Sequence, residues 1–170
     1  MPMTNMHKSV GKSKTDAMIE LIIEDEAWGH AVPDLEQLAF ECHKAAIKAE
    51  PDLDGEIALL AAGDAALQAL NMQFRQIDRP TNVLSFPSDQ PLGFLGDIAI
   101  AQQTCAKEAA EKSISLRNHA AHLIVHGMLH LIGYDHQETA EAEAMERREV
   151  VILASMGIAD PHGDAQERCE

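Results

Sequence analysis

The sequence predicts an α+β (α/β) fold, in which helices surround a small mixed β-sheet of about four strands. In the first half of the chain, short β-prone runs alternate with helical periodicity, and in the second half helical periodicity dominates. The 170 residues are 46% hydrophobic, which suffices for one core. They contain no long apolar run of the kind that spans a membrane.

Four runs have the composition of β-strands. They are short, rich in aliphatic residues, and bounded by polar or turn-forming residues. The runs cover residues 18–24, 56–60, 82–86 and 97–100. A loop rich in Pro and Gly separates the last two, so we expect them to form distinct strands.

Helical periodicity fills most of the remaining chain. One helix opens at Pro33–Asp34, where Gln37 is placed for a capping box, and a second runs from about residue 63 to 76. The inward positions predicted for this second helix are Leu67, Leu70 and Phe74. The chain is then predicted to be helical from residue 102 into segment 126–136, with a break near 113–115. A last helix covers about 139–156 and stops at Gly157.

These elements are predicted to form a single domain, residues 17–160, between an N-terminal tail (1–16) and a C-terminal tail (161–170). The N-terminal tail lacks the apolar stretch of a secretory signal. The three cysteines are widely spaced and form no C-x-x-C pair. Both observations are typical of a protein of the reducing cytoplasm, which is the predicted location.

The net charge of −15 is unevenly distributed. Residues 16–66 carry −11 and residues 138–170 carry −6, whereas residues 67–137 carry −1 and residues 1–15 carry +3. The acidity therefore avoids segment 67–137, which holds most of the candidate functional residues. This distribution excludes nucleic-acid binding by a broad basic surface, but it leaves a local nucleic-acid site open.

One segment, His126-Gly-Met-Leu-His130-Leu-Ile-Gly133-Tyr-Asp-His136, has three histidines spaced for a single metal ion. His126 and His130 share one face of a helix, and Gly133 allows the left-handed turn that can bring His136 back to them. Three imidazoles without a fourth protein ligand are typical of catalytic zinc sites, which keep one position open. The segment predicts one Zn²⁺ per chain, at a metalloprotease-like site on a helix and the following turn.

The spacing matches the metzincin metalloprotease pattern, H-E-x-x-H-x-x-G-x-x-H, at every position but one. In those proteases a Glu follows the first His and acts as general base. Here that position is Gly127. Peptide hydrolysis by the protease mechanism is therefore not expected.

Three polar residues lie on helices near this motif. We interpret His119 and His122 as hydrogen-bonded core residues, with His119 also able to form a hydrogen bond near the site. Glu149 falls on the buried face of the last helix, where a carboxylate needs a partner. A salt bridge at the edge of the core is the favoured explanation, and a hydrogen bond to a metal-ligating histidine or an arginine is the alternative.

Three blocks of this sequence closely resemble the YbeY family of bacterial endoribonucleases, over residues 18–157. The blocks are Asn71-Met-Gln-Phe-Arg75-Gln-Ile-Asp78-Arg-Pro80-Thr-Asn-Val-Leu-Ser-Phe-Pro87, then Leu95-Gly-Asp97-Ile98, then the segment from His126 to His136. The family often has Gly-Lys after the arginine, and here Gln76-Ile77 removes that positive charge.

The resemblance implies a mixed sheet with surrounding helices, zinc bound by His126, His130 and His136, and cleavage of single-stranded RNA. It further implies a role in maturation of ribosomal RNA, notably at the small-subunit 3′ end, and in ribosome quality control. The expected partners are ribosomal RNA, the ribosome or a small-subunit ribosomal protein, and a ribosome-associated GTPase.

The arginine of the first block is Arg75, and the resemblance implies that it acts on the RNA phosphate as the catalytic arginine. A guanidinium can match phosphoryl oxygens with two parallel hydrogen bonds. From the residues alone, interaction with the helix dipole explains Arg75 equally well. Arg79 has the same chemistry and is a further candidate for substrate binding.

Four more residues of these blocks are candidates for the site. Ser85 and Phe86 are predicted to end a strand beside it, where they can contact substrate. Phe86 can stack on a base, although a core position is the favoured explanation. Asp97 and Asp135 can orient histidine ring nitrogens, and Asp135 can equally cap a turn.

The predicted function is that of a zinc-dependent endoribonuclease whose general base the sequence does not assign. Attack by the 2′-hydroxyl of the RNA is an open possibility. One alternative function is a metal-dependent hydrolase of another substrate, peptide included. A second is a non-catalytic ribosome-assembly factor with a structural zinc, for which His119 or His122 would be the first candidates for a fourth ligand.

Overall fold

The computed structural model of the chain describes residues 18–89 and 93–163. The predicted N-terminal tail, residues 1–16, lies outside the described residues, and so does most of the predicted C-terminal tail. The domain boundaries therefore remain predictions.

A four-stranded mixed sheet forms the centre of the fold, with the spatial order β1-β2-β4-β3. Its strands are β1 (Met18–Ile23), β2 (Glu56–Ala62), β3 (Val83–Pro87) and β4 (Phe94–Ala101). The strands β1, β2 and β4 are parallel, and β3 runs antiparallel to β4. The predicted mixed sheet is confirmed, although β4 begins at Phe94 rather than at Asp97.

The helices of the described residues surround this sheet. They are α1 (Glu26–Ala31), α2 (Leu35–Ala49), α3 (Asp64–Arg75), α4 (Gln102–Lys112), α5 (Leu116–Leu131) and α6 (Thr139–Ser155). The short helix α1 was not predicted. The break near 113–115 is confirmed, because Ser113 has a φ of 58° and the side chain of Ser115 caps α5. No helix of residues 18–89 and 93–163 combines the length and apolar composition needed to cross a bilayer.

The sheet is covered on both faces. The helices α2, α5 and α6 share one large core with alternate residues of the strands, including Leu59 and Ile98. A smaller cluster on the other face contains Leu67 of α3 and Leu84 of β3. Because successive strand residues point to opposite faces, Ser85 faces α5, whereas Phe86 lies on the α3 side.

Two local expectations about helices were wrong. Phe74, predicted to point inward, is 40% exposed, because it lies at the end of α3 and packs on Phe86 at the edge of the sheet. The capping box at Gln37 does not form: the side chain of Asp34 makes no capping hydrogen bond to α2, and the Gln37 amide donates to Glu41 one turn further along the helix.

Buried helix α5 positions the candidate site. Most of its residues are buried, as expected for a helix held between a sheet and two other helices. His126 and His130 are only partly buried, so one stripe of this helix reaches the surface.

Candidate metal centre

Three histidines converge at the carboxyl end of α5. One ring nitrogen from each of His126, His130 and His136 lies within 4.8 Å of the other two. The chain turns at Gly133, which has a φ of 103°, and the N–H of Tyr134 donates to the carbonyl of Leu129 at 3.1 Å. This is the hydrogen-bond pattern of a glycine-terminated helix, and the turn returns His136 to the helix as the spacing predicted.

The ring nitrogens of His126 and His130 suit a divalent metal ion. Their Nε2 atoms are 3.1 Å apart. Each ring directs its Nδ1 atom to an oxygen that can only accept, so in the neutral rings both Nε2 atoms carry lone pairs. Two lone pairs facing each other repel unless a cation lies between them. Two nitrogens bound to a tetrahedral zinc are about 3.3 Å apart, close to the observed distance.

The second ring nitrogen of each helical histidine has a defined acceptor. Nδ1 of His126 lies 2.6 Å from Oε2 of Glu149, and Nδ1 of His130 lies 2.8 Å from the carbonyl oxygen of Tyr134. Such partners fix the tautomer and the orientation of metal-binding imidazoles. Burial, reinforced by the neighbouring His126, also lowers the pKa of His130 and so favours the neutral form that binds metals.

Glu149 of α6 is the acceptor for more than one histidine. Besides His126, it accepts hydrogen bonds at Oε1 from Nε2 of His122 at 2.8 Å and from Nε2 of His162 at 2.7 Å. Glu149 is 1% exposed. Burial by itself would raise the pKa of Glu149, but hydrogen bonds from His122, His126 and His162 outweigh it and hold the pKa well below its usual range. The sequence favoured a salt bridge at the core edge, and the structure instead places Glu149 against a candidate metal ligand.

Gly127 explains why the protease base has no counterpart here. A Cβ atom at this position would lie 2.9 Å from Cγ2 of Ile98 and 3.0 Å from Oγ of Ser85. The Ser85 hydroxyl also donates to the carbonyl of Gly127 at 3.0 Å. Helix α5 therefore lies directly on the sheet beside the histidines, and a glutamate side chain has no space at this position.

Arg75 shares one cleft with the three histidines. The cleft has a volume of about 720 Å³, and Ser85 and Arg79 also line it. The Nη2 atom of Arg75 donates to the carbonyl of Ser85 at 3.2 Å, and its guanidinium carbon lies 6.0 Å from the centre of the Phe86 ring. The hydrogen bond joins the end of α3 to β3, so it holds Arg75 at the cleft wall.

The other predicted site residues occupy different positions. The backbone of Asp97 is opposite Phe86 in the sheet, which puts Asp97 on the α3 face, whereas the histidines of α5 lie beyond the opposite face. Asp135 lines the cleft, and its Oδ1 accepts from the N–H of His136 at 2.7 Å. The hydrogen bond of Asp135 thus supports the turn rather than a ring nitrogen.

Sequence reasoning gave no site role to His162 or Tyr134, and it considered His122 only as a core residue or as the fourth ligand of a structural zinc. His122 is one turn before His126 on α5, so the spacing of the helix already placed it on the same face. Tyr134 contributes its backbone carbonyl, which no side-chain pattern can reveal. His162 follows the last helix, and no motif in the sequence includes it. His119, interpreted as a core residue, is 1% exposed, and its Nε2 lies 2.8 Å from Glu108.

A second cavity adjoins the cleft, and the two differ in charge. It has a volume of about 610 Å³, and His126 and His136 line both spaces. Four glutamates line the second cavity: Glu108, Glu111, Glu146 and Glu149. The histidines therefore separate an arginine-bearing cleft from an acidic chamber.

Comparison with known proteins identifies relatives over most of the chain. The family described as Endoribonuclease YbeY matches residues 22–157. A protein named Endoribonuclease YbeY from Bradyrhizobium sp. (strain BTAi1) is 44% identical over 161 residues, which cover 86% of this chain and 93% of that protein. One of the same name from Rhizorhabdus wittichii is 44% identical over 170 residues, covering 88% of this chain and 100% of that protein.

A solved structure has the same fold. The solution structure of TM1509 from Thermotoga maritima superimposes with a TM-score of 0.54 at 24% identity, and it covers 85% of this chain and 99% of that one. The matched residues 22–157 contain the three histidines and Arg75. Because the family match spans most of the chain and the curated relatives exceed 40% identity, this chain belongs to the YbeY family.

Proposed function

We propose that this protein is an endoribonuclease that cleaves single-stranded RNA with one zinc ion held by His126, His130 and His136. The observation that carries the proposal is the cleft in which these three histidines lie together with Arg75. The description of the matched family, an endoribonuclease, supports the same reaction class.

A zinc ion bound by these histidines would supply Lewis-acid chemistry next to the scissile phosphate. The chain prepares the site by fixing two of the rings, through Glu149 and the carbonyl of Tyr134. The Nε2 atoms of His119 and His122 face carboxylates instead of the three-histidine group. This arrangement supports three protein ligands, as in catalytic sites, and argues against a structural zinc with His119 or His122 as fourth ligand.

Arg75 is proposed to bind the phosphate and to stabilise the charge that develops on it. A guanidinium has five N–H donors, of which the hydrogen bond to Ser85 uses one. That bond crosses to β3 instead of ending on a carbonyl of α3, which favours a role in the cleft over interaction with the helix dipole. A positioned donor of this kind contributes on the order of 100-fold or more to the rate.

The charges around the histidines favour one path for the RNA backbone. Arg75 and Arg79 line the cleft, whereas the adjoining chamber has four glutamates and a single lysine, Lys112, in its lining. A polyanion is attracted by the first and repelled by the second. We therefore place the RNA across the cleft, with Ser85 at its wall and Arg79 as a second phosphate contact.

The proposed RNA substrate, cellular process and partners are inferred from the family resemblance. We propose that the substrate is ribosomal RNA, notably near the 3′ end of the small-subunit RNA, and that the protein acts in ribosome quality control in the cytoplasm. The proposed partners are the ribosome or a small-subunit ribosomal protein, and a ribosome-associated GTPase. The acidic segment 16–66 is a suitable surface for a basic ribosomal protein.

The test is cleavage of a labelled single-stranded RNA by protein of measured zinc content. We expect His130→Ala to lose both zinc and cleavage. Arg75→Ala should keep its zinc and lose on the order of 100-fold in rate. Arg147→Ala, which removes an exposed arginine of α6, is the matched control and should cleave normally.

Two results would contradict the proposal. Cleavage that persists in both His130→Ala and Arg75→Ala would point to a contaminating nuclease. A zinc-loaded wild type that cleaves no RNA, alone or with ribosomal subunits, would favour the assembly-factor alternative. An RNA with a 2′-deoxy residue at the cleaved position separates attack by the RNA's own 2′-hydroxyl from attack by a water molecule. Only the first requires the hydroxyl group.

A further inference from the structure

The buried carboxylate of Glu149 is held by histidines from two directions. Its Oε1 accepts from His122 at 2.8 Å and from His162 at 2.7 Å, and its Oε2 lies 2.6 Å from Nδ1 of His126. A carboxylate rotates freely about its terminal bond unless its oxygens are held. The two histidines that donate to Oε1 fix the plane of the Glu149 carboxylate. That plane determines the position of Oε2, which contacts Nδ1 of His126.

We propose that His162 is a positioning residue of the metal site, which acts with His122 to hold Glu149 so that Glu149 orients the His126 imidazole. The inference rests on the proposed metal binding by His126, His130 and His136. It adds a residue from beyond the last helix to the support of that site.

The turn after α6 brings His162 to this position. Gly157 has a φ of 79°, and the N–H of Ile158 donates to the carbonyl of Leu153 at 2.9 Å. Ile158 then packs against the main core, and Oδ1 of Asp160 accepts from the N–H of His162 at 2.7 Å. The glycine-terminated helix end is the same device that returns His136 to α5. A second histidine is thus folded back by the same type of turn.

This contact comes from a residue beyond the end of the family match. The family match ends at residue 157, so His162 lies outside the matched residues. Its imidazole is partly buried, with 33% of the side chain exposed, whereas the side chain of Glu149 is 1% exposed. The segment therefore covers part of a carboxylate that would otherwise face the acidic chamber.

His122, Glu149 and His162 are close enough to hold a cation of their own, but hydrogen bonding explains the cluster better. The distances of 2.7 and 2.8 Å are those of hydrogen bonds to a charged acceptor, and ligands of one zinc ion lie about 3.3 Å apart. Nδ1 of His122 is buried and has no partner among the described residues. A metal-bound imidazole donates its other N–H to an acceptor, so His122 lacks the second hydrogen bond that metal ligation through Nε2 requires.

The test measures metal binding in the full-length protein and requires no RNA. Zn²⁺ affinity is determined by competition with a chromophoric chelator, and the visible spectrum of Co²⁺-substituted protein reports the geometry of the site. We expect His162→Ala to weaken Zn²⁺ binding about three- to tenfold, less than the 10–100-fold typical for loss of a direct partner, because it acts through Glu149. The Co²⁺ bands should shift in the same variant.

Two variants separate positioning from general stabilisation. His162→Gln places an amide N–H close to the position of Nε2, so it should restore affinity and spectrum to near wild type. His162→Ala made in a Glu149→Gln background should add little further loss, since the two residues act in one chain of contacts. His30→Ala, which removes an exposed histidine of α1, is the matched control.

Three outcomes would overturn the inference. Unchanged affinity and spectrum in His162→Ala would remove any role for His162 while leaving the three-histidine site intact. A stoichiometry of two metal ions per chain that falls to one in both His162→Ala and His162→Gln would establish a second metal site in place of a positioning role. A wild type that binds no Zn²⁺ or Co²⁺ would refute the metal centre itself.

Discussion

The Nδ1 atom of His126 lies 2.6 Å from Oε2 of Glu149, a residue of a different helix. His126 belongs to α5 and Glu149 to α6, so the contact depends on the packing of the two helices. A carboxylate that accepts from the ring nitrogen not facing the metal strengthens an imidazole as a metal ligand and fixes its tautomer. The affinity of the proposed site for metal is therefore coupled to the position of α6.

Replacing Glu149 by Gln tests this coupling. The amide has the shape of the carboxylate but lacks the charge, and its NH₂ group cannot accept a hydrogen bond from a histidine. We expect Zn²⁺ affinity to fall by roughly 10–100-fold while the helix content stays unchanged. Competition with a chelator measures the first and circular dichroism the second. Glu143→Gln, at an exposed position of α6, should bind Zn²⁺ as tightly as the wild type, and an equal loss in both variants would show that overall charge is responsible.

Gly127 gives a prediction about stability. Because a Cβ at this position would meet Ile98 at 2.9 Å, Gly127→Ala should lower the free energy of unfolding by about 1–3 kcal/mol. Gly29→Ala in α1 is the matched control, since a Cβ there meets nothing within 4 Å. It should stabilise the protein by about 0.5–1 kcal/mol, the ordinary gain from replacing a helical glycine. Urea denaturation of metal-free protein measures both, and a stabilised Gly127→Ala variant would mean that α5 is not packed closely on the sheet.

Sequence could predict that the three candidate ligands converge, because their positions depend on local geometry. His126, His130 and His136 are fixed by the period of one helix and the turn at a glycine. The hydrogen-bond partners of these rings depend on tertiary packing, which periodicity does not reveal. Glu149 belongs to a different helix, α6, and His162, which contacts Glu149, follows that helix in the chain. Phe74 was misplaced for a related reason. The apolar periodicity of α3 identified which face of the helix is buried. It could not show that the edge of the sheet lies beneath the last turn, so that Phe74 is left exposed.

Buried His43 predicts a stability that depends on pH. The ring accepts a hydrogen bond from the N–H of Met18 and lies 2.8 Å from the carbonyl of Leu53, so it is held neutral. Burial lowers the pKa of His43 below its usual value, and the hydrogen bond to Leu53 opposes this effect only in part. The unfolded chain therefore binds the proton more readily than the folded one. Stability should be complete above about pH 6.5 and fall as the pH drops toward the lower folded pKa.

The measurement compares urea denaturation of chelator-treated wild type and His43→Gln at pH 7.5 and pH 5.5. The variant should be less stable at pH 7.5 but should lose less on acidification. The difference in slope is at most about 1.4 kcal/mol per pH unit, the limit for a single proton. Identical slopes in the two proteins would assign the acid sensitivity to other groups, among them His119, whose pKa is also lowered by burial.

Phe74 and Phe86 lead to a prediction about substrate binding. Their ring centres are 5.0 Å apart, and the guanidinium carbon of Arg75 lies 6.0 Å from the Phe86 ring. Phe86 is partly covered in this stack, whereas Phe74 is 40% exposed beside the proposed RNA path. An exposed ring next to Arg75, the proposed phosphate-binding residue, can stack on an unpaired base.

We therefore expect Phe74→Ala to raise KM for single-stranded RNA with little change in kcat or Zn²⁺ affinity. Loss of one stacked base corresponds to about 1–3 kcal/mol, or roughly 5- to 150-fold in KM. Phe40→Ala on α2 is the matched control, since Phe40 is 37% exposed and lies on a helix that does not line the cleft. A change in kcat alone would indicate that Phe74 supports Arg75 and does not stack on an RNA base. Equal effects of the two substitutions would mean that the loss of an exposed phenylalanine, at either position, disturbs the fold.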